Sequence, residues 1–300
     1  MKTHPWLFLS CLFLSSLASA VHADPAFEFI QQLPTGTINW TQGSVNAIGA
    51  SSNQGSNQNR DNRPEQGREI DQAFQEAVHN LMLTLVRMRM NHQNCISDIL
   101  HSEAYAQDKV KEMISTAKVV REKPLDGGGV EVTVEMQLFG GFAQLMLPPD
   151  VRQVEPIKPL VDPKMGDDQR IRTDSLTQNA SRARPNSAYT GLLVDARGIG
   201  ASPSMVPMIF NENGQEVYGP AYVSREFAVQ HGMCRYIRGA MDGAAVLPQV
   251  APNPLIVKGL RTVTEGSCDI VISNADASIL RGTSSHLEFL KQCRVVIVLD

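Results

Sequence analysis

The sequence predicts a fold of the α+β and α/β classes, built from two units. A long segment has an apolar residue at every third or fourth position, and a later segment alternates strictly between apolar and polar residues. In the second half of the sequence, predicted strands and helices follow one another in turn. With 300 residues, 42% of them hydrophobic, the chain can form two modest cores. We expect a helix on an antiparallel sheet within residues 24–147, a linker over 148–186, and a smaller mixed-sheet α/β unit over 187–300.

The first 23 residues have the pattern of a signal peptide. Lys2 supplies the positive charge, residues 6–17 are apolar but too few to span a bilayer, and Val21-His22-Ala23 fits a cleavage site. The context of Cys11 does not suit a lipid-attachment site. We therefore expect an exported, periplasmic protein, peripheral to the outer membrane at most. With 27 basic and 31 acidic residues the formal charge is −4, which argues against a nucleic-acid partner.

The first unit is expected to hold a hairpin, a long helix and a second hairpin. Residues 24–33 have no clear pattern, and residues 49–63 are polar and rich in Gly, Ser and Asn, which predicts a loop. Two short strands are predicted at 37–40 and 44–48. An amphipathic helix is predicted from Pro64 to Met90, with an apolar stripe formed by Ile70, Phe74, Ala77, Val78, Leu81, Leu85 and Met88.

The second hairpin has the clearest strand signal. Residues 118–122 and 130–138 flank a glycine-rich turn, and the second of them alternates apolar and polar side chains. A period of two with one polar face indicates an antiparallel sheet covered on one side. The long helix is the natural cover.

The second unit begins with an apolar strand at Tyr189–Asp195, followed by glycines that break the chain. Patterns of period two and of helical spacing then alternate up to the end of the sequence. They predict strands at 205–210, 215–218, 255–263, 269–273 and 294–299, and helices at 224–232, 276–280 and 284–292.

Four carboxylates near predicted strand ends are the candidate site residues: Asp195, Asp269, Asp276 and Asp300. Converging carboxylates can bind a divalent cation or act as acid and base. The favoured interpretation is that they cap helices and turns, and that Arg197 pairs with Asp195. No nucleophile elbow or phosphate-binding loop is present in the sequence. We therefore predict no enzyme activity, cofactor or metal.

Export would leave four cysteines, Cys95, Cys234, Cys268 and Cys293, and an oxidising compartment permits disulfides. Cys268 and Cys293 precede predicted strands of the same unit, so they are the favoured bridge. The alternative is that all four are buried thiols.

The order of these elements resembles a known group of bacterial proteins. The strand Gly36–Trp40, the helix Ala73–Arg89 and the hairpin around Val119–Val132 are similar to the LPP-twenty lipoprotein family and to the N-terminal part of the flagellar assembly protein FlgT. The likeness is best over residues 36–147. It implies a structural or assembly role with envelope or flagellar basal-body proteins as partners. Unlike the lipoproteins, this chain lacks a credible lipid-attachment cysteine.

Overall fold

A computed structural model describes residues 27–51, 63–126, 128–151, 189–239 and 247–300. It contains two β-sheets with helices packed on them, which confirms the predicted α+β and α/β class with two units. The predicted signal peptide, residues 52–62 of the predicted polar loop and residues 152–186 of the predicted linker lie outside the described residues. Among the helices that the structure describes, none is long and apolar enough to cross a membrane.

The first unit is an antiparallel sheet of five strands in the order β1-β2-β3-β5-β4. Four helices accompany it. The strands are β1 (Ile30–Leu33), β2 (Gly36–Asn39), β3 (Ser44–Ala50), β4 (Lys118–Pro124) and β5 (Val130–Gln137), and the helices are α1 (Arg63–Val86), α2 (Ile96–Ser102), α3 (Ala104–Ser115) and α4 (Gly141–Met146).

The predicted register of β5 is confirmed. Val130, Val132, Val134 and Met136 are buried, and the polar residues between them are partly exposed. The helix α1 covers this buried face and lies close to β3, because Gly49 has no side chain. A Cβ atom on Gly49 would lie 2.2 Å from the Ala73 carbonyl oxygen.

Two boundaries in the first unit differ from the sequence prediction. Residues 30–33, expected to have little structure, form β1, and Gln31 accepts a hydrogen bond from the Trp40 indole at 2.9 Å. The helix α1 ends at Val86 rather than at Met90. The chain there turns back on itself, with the Met90 amide donating to the Asn94 carbonyl at 2.9 Å, yet Met90 stays buried.

The second unit is a mixed sheet of seven strands in the order β8-β7-β11-β10-β6-β12-β9. It has two more strands than the sheet of the first unit. Its strands are β6 (Gly191–Asp195), β7 (Ile209–Asn211), β8 (Glu216–Tyr218), β9 (Arg235–Arg238), β10 (Pro254–Thr262), β11 (Ile270–Ile272) and β12 (Val295–Leu299), and its helices are α5 (Arg225–His231), α6 (Asn274–Arg281) and α7 (Ser284–Lys291).

Four neighbouring strands of this sheet, β10, β6, β12 and β9, are parallel to one another. The central strand β6 pairs in parallel with β10 and β12, and β12 pairs in parallel with β9. The strand β11 is antiparallel to β10, parallel to β7, and leads to the antiparallel pair of β7 and β8. Strand β6 is buried on both faces, as its continuous apolar run predicts.

Buried residues of the two units belong to one hydrophobic core. The Trp40 and Tyr236 rings meet edge to face, with centroids 5.7 Å apart. The Thr41 hydroxyl donates to the Tyr236 carbonyl at 2.5 Å. Arg235 donates to the Thr41 carbonyl and lies over the Phe139 ring, 4.5 Å from its centroid. These contacts hold the two sheets together as one packed body.

The start of the predicted linker also belongs to this body. Val151 is buried, and the guanidinium of Arg225, the first residue of α5, holds the segment. It donates to the carbonyls of Pro148 at 2.9 Å and Val151 at 3.3 Å, and to that of Gln144 in α4 at 2.8 Å. The Leu147 carbonyl accepts a fourth bond at 3.2 Å. These carbonyls lie in the last turn of α4 or just after it. The last carbonyls of a helix have no partners within the helix, so they are free to accept bonds from Arg225.

Candidate functional site

Asp195 is the last residue of β6 and forms an ion pair with Arg197, two residues further on. Arg197 Nε donates to Asp195 Oδ1 at 2.7 Å, and Arg197 Nη2 donates to Oδ2 at 2.9 Å. This fork-to-fork geometry uses both carboxylate oxygens. The predicted pairing of the two residues is therefore present in the structure.

The ion pair belongs to a network at the carboxyl edge of the parallel strands. Arg197 Nη1 donates to the Gly239 carbonyl, just after β9, at 3.2 Å. The Gly198 amide donates to both carboxylate oxygens of Asp300, just after β12, at 3.0 and 2.9 Å. Gly198 has a φ of 77°, a backbone conformation that favours glycine. The turn after β6 is thus tied to the ends of two neighbouring strands.

The electrostatics of Asp195 fit a charged structural group. The hydrogen bond from the Arg197 side chain holds the pKa of Asp195 below its ordinary value, against a smaller opposite effect of burial. Lys258 stands opposite Asp195 on β10 and also favours the ionised carboxylate. The carboxylate is therefore ionised at neutral pH, with its oxygens engaged by the turn that follows it.

Asp269 lies just before β11 and has a different environment. Its Oδ1 accepts bonds from the Met208 amide at 3.1 Å and from the Cys268 thiol at 3.4 Å. Its Oδ2 lies 3.0 Å from Nδ1 of His92, which follows α1 in the first unit. The Asp269 side chain is 3% exposed and that of His92 41%. Burial raises the pKa of Asp269, although these partners oppose the rise.

Asp276 lies in the first turn of α6, and the residue that caps this helix is Ser273 rather than Asp276. Ser273 precedes α6, and its hydroxyl accepts a bond from the Asp276 amide at 3.0 Å and donates to Asp276 Oδ2 at 2.7 Å. The Ser273 hydroxyl thus caps the helix, and the Asp276 carboxylate accepts a bond from that same hydroxyl. The role of Asp276 is local.

The structure does not gather the candidate carboxylates into one site. Asp195 and Asp300 lie at the same sheet edge, Asp269 faces the first unit, and Asp276 follows the opposite end of β11. Within the described ranges, no three His, Cys, Asp or Glu side chains are grouped so that they could hold a metal ion.

The four cysteines are free thiols in the structure, so the favoured bridge between Cys268 and Cys293 is not present. Their thiols have different neighbours. Cys268 donates to Asp269, whereas Cys293 lies against the Tyr218 hydroxyl. The alternative of buried thiols fits Cys234, Cys268 and Cys293, while Cys95 is partly exposed.

Sequence reasoning missed a cavity of about 730 Å³ beside Arg225. The loop after α1, the ends of α2 and α4, and the segment around Pro148 surround it. Its walls are mixed: Met90, Ile99 and Leu145 are apolar, and Asn91 and Glu103 are polar. None of the four candidate carboxylates lines it. Residues from distant parts of the chain form it, so no local pattern could have predicted it.

Comparison with known proteins gives one finding for the second unit. A family model described as the second domain of Treponema pallidum Tp0624 matches residues 191–300. This range begins at β6 and includes all strands of the seven-stranded sheet. No curated protein matches the chain.

Proposed function

We propose that this chain is a non-enzymatic, exported cell-envelope protein with a structural or assembly role, and that its partners are envelope or flagellar basal-body proteins. The observation that carries the proposal is the network at the carboxyl edge of β6 and β12. In open α/β sheets, ligands bind at this edge. Here the Arg197 fork engages Asp195, and the Gly198 amide engages Asp300. The charged groups at this edge therefore stabilise the fold.

The packing between the two units also supports a structural role. Their shared core, the Arg235 contacts and the His92–Asp269 pair fix one sheet against the other. Such a body can hold partner proteins at a constant separation and angle. An enzyme that closes over a substrate would instead need a hinge between its units.

Three further points are consistent with the proposal. The first 23 residues have the pattern of a signal peptide. The order of elements in the first unit resembles the LPP-twenty lipoprotein family and the N-terminal part of FlgT. The second unit matches a family model named for the second domain of Treponema pallidum Tp0624.

Complementation of a deletion strain in the source organism tests the proposal. The wild-type chain and Asp195→Asn would be expressed from the same promoter, and both cell fractionation and envelope integrity or motility would be measured. We expect the protein in the periplasmic fraction, a defect in the deletion strain, and full restoration by both forms. Arg225→Ala, which should destabilise the body, is the matched variant expected to restore the phenotype poorly.

The competing function is a periplasmic enzyme or small-ligand or metal-binding protein with its site at Asp195. In that case Asp195→Asn would be present at normal abundance but would fail to restore the phenotype. Calcium, magnesium or zinc would also raise the melting temperature of the wild type and not that of Asp195→Asn. Either result would contradict the structural role. A deletion strain with normal motility and an intact envelope would count equally against it.

A further inference from the structure

Two buried cysteines lie at the entrances of neighbouring strands. Cys234 immediately precedes β9, and Cys293 lies two residues before β12. These strands pair in parallel, with Arg235 opposite Val296. The first residues of the two strands therefore lie next to each other in the sheet. Cys234 is 7% exposed and Cys293 is fully buried.

The Tyr218 hydroxyl connects these two positions. It donates to the carbonyl of Met233, the residue before Cys234, and it also lies within hydrogen-bonding range of the Cys293 thiol. Tyr218 is completely buried. The Tyr218 hydroxyl therefore lies beside both strand entrances, whereas the Cys234 thiol itself is next to Tyr236. Cys268, by contrast, turns toward Asp269.

The backbone at Cys293 is unusual. Among the described residues other than glycine, Cys293 alone has a positive φ, 57°. It follows the end of α7, where its amide donates to the Leu290 carbonyl and the Arg294 amide donates to the Phe289 carbonyl, both at 3.0 Å. This pattern is the Schellman motif, and its left-handed position favours glycine. A cysteine there strains the backbone, as residues with a chemical role often do.

We propose that Cys234 and Cys293 are a redox pair that forms an intramolecular disulfide when the chain folds in an oxidising compartment. The compartment rests on the proposed export, but the pairing does not. In the reaction, the thiolate of one cysteine attacks a mixed disulfide formed by the other with an oxidant that itself carries a disulfide. The pair loses two protons and two electrons, and the oxidant's disulfide becomes two thiols.

The environment of the thiols dictates when this bond forms. Burial raises the pKa of Cys293 to about 12, and burial also raises the pKa of Cys234 well above its ordinary value. The thiolate is the reactive form. The folded, reduced protein is therefore slow to oxidise, and the bond forms during folding, before β9 and β12 are covered.

Peptide mapping after oxidative refolding tests the pairing. The mature chain would be refolded from urea in a mixture of oxidised and reduced glutathione, blocked with N-ethylmaleimide, and digested with trypsin. Trypsin places the four mature cysteines on separate peptides: 90–109, 226–235, 262–281 and 292–294. We expect peptide 226–235 linked to peptide 292–294, with the other two alkylated. Dithiothreitol should abolish the link and lower the melting temperature by several degrees.

Two variants make the result decisive. Cys293→Gly removes the thiol and suits the left-handed backbone, so it should fold and leave Cys234 alkylated. Cys268→Ala should retain the link. Four alkylated cysteines after oxidative refolding, or a link that includes Cys268 or Cys95, would overturn the pairing. Because the test uses purified protein, this outcome would leave the proposed export and structural role unaffected.

Discussion

His92 Nδ1 lies 3.0 Å from Asp269 Oδ2, so the loop after α1 in the first unit contacts the start of β11 in the second. The Met205 and Val206 amides reinforce this junction by donating to the carbonyls of Arg89 at 3.1 Å and Met90 at 2.8 Å. The contact combines a buried carboxylate with a partly exposed ring. It makes the junction between the units sensitive to the protonation of Asp269.

The stability that Asp269 contributes should decrease as the pH rises. Burial raises its pKa in the folded state above that in the unfolded state. The contribution is therefore fully present below the unfolded pKa and is lost as the pH rises through the folded pKa. Urea denaturation of the wild type and Asp269→Asn at pH 4 and pH 7 measures this. We expect the free energy of unfolding of the wild type, relative to that of the variant, to be higher at pH 4 than at pH 7. The opposite result would contradict the buried environment of Asp269.

Asp195 should show the opposite pH dependence. The Arg197 hydrogen bond lowers its folded pKa, so its contribution is present above the unfolded pKa and is lost as the pH falls through the folded pKa. Because the pair is partly exposed, we expect Asp195→Asn to cost about 1 kcal/mol at pH 7. The difference in unfolding free energy between Asp195→Asn and the wild type should decrease at acidic pH. The same denaturation series serves as the internal control for Asp269→Asn.

Gly49→Ala should destabilise the first unit by about 1–3 kcal/mol, the usual cost of overpacking. The new Cβ would lie 2.2 Å from the Ala77 nitrogen and 2.9 Å from the Ala77 Cα of α1, so the helix would have to move away from β3. Chemical denaturation measures the loss of stability.

Gly67→Ala is the matched control for this substitution. Gly67 is an exposed residue of α1, and a Cβ there would meet no atom within 4 Å. Alanine has the higher helix propensity, so we expect a gain of about 0.5–1 kcal/mol. Equal effects of Gly49→Ala and Gly67→Ala would mean that α1 does not lie against β3 as described.

Arg225→Ala should cost about 2–4 kcal/mol, because several carbonyls that follow α4 would lose a charged donor. Arg225→Lys should recover only part of this loss, since an ammonium group cannot reproduce the planar fork. Arg261→Ala is the control. Arg261 has a single long bond, 3.4 Å, to the carbonyl of Thr262, and we expect a change within about 0.5 kcal/mol. A loss at Arg225 no larger than this would contradict the structural role of its guanidinium.

The elements with strong local periodicity were predictable. The alternation of β5 and the apolar run of β6 appear in the structure as expected. The strand β1 was missed because two of its four residues are glutamines and it has no clear alternation. The helix α4 was missed because it begins at the second of two consecutive glycines, Gly141. In both cases tertiary contacts outweigh a weak local signal.

Among the candidate site residues, local arrangements were predictable and contacts between distant segments were not. The pairing of Asp195 with Arg197 was predictable because the two are two positions apart at a strand end. The place of Asp276 at the start of a helix was also predictable, although Ser273 rather than Asp276 is the cap. The partnership of Asp269 with His92, and the neighbouring positions of Cys234 and Cys293, depend on how distant segments pack. No spacing within the sequence encodes those contacts.

The hydrophobic core that runs from Ile38 and Leu81 to Tyr236 and Leu290 has a thermodynamic consequence. Opening either sheet would expose apolar surface of the other, so neither half has an independent melting equilibrium. Heat should therefore produce a single cooperative transition, with the calorimetric enthalpy equal to the van't Hoff enthalpy. Residues 189–300 expressed alone would present to water the face on which Trp40 and Phe139 normally lie. Such a fragment should associate with itself rather than remain a monomer.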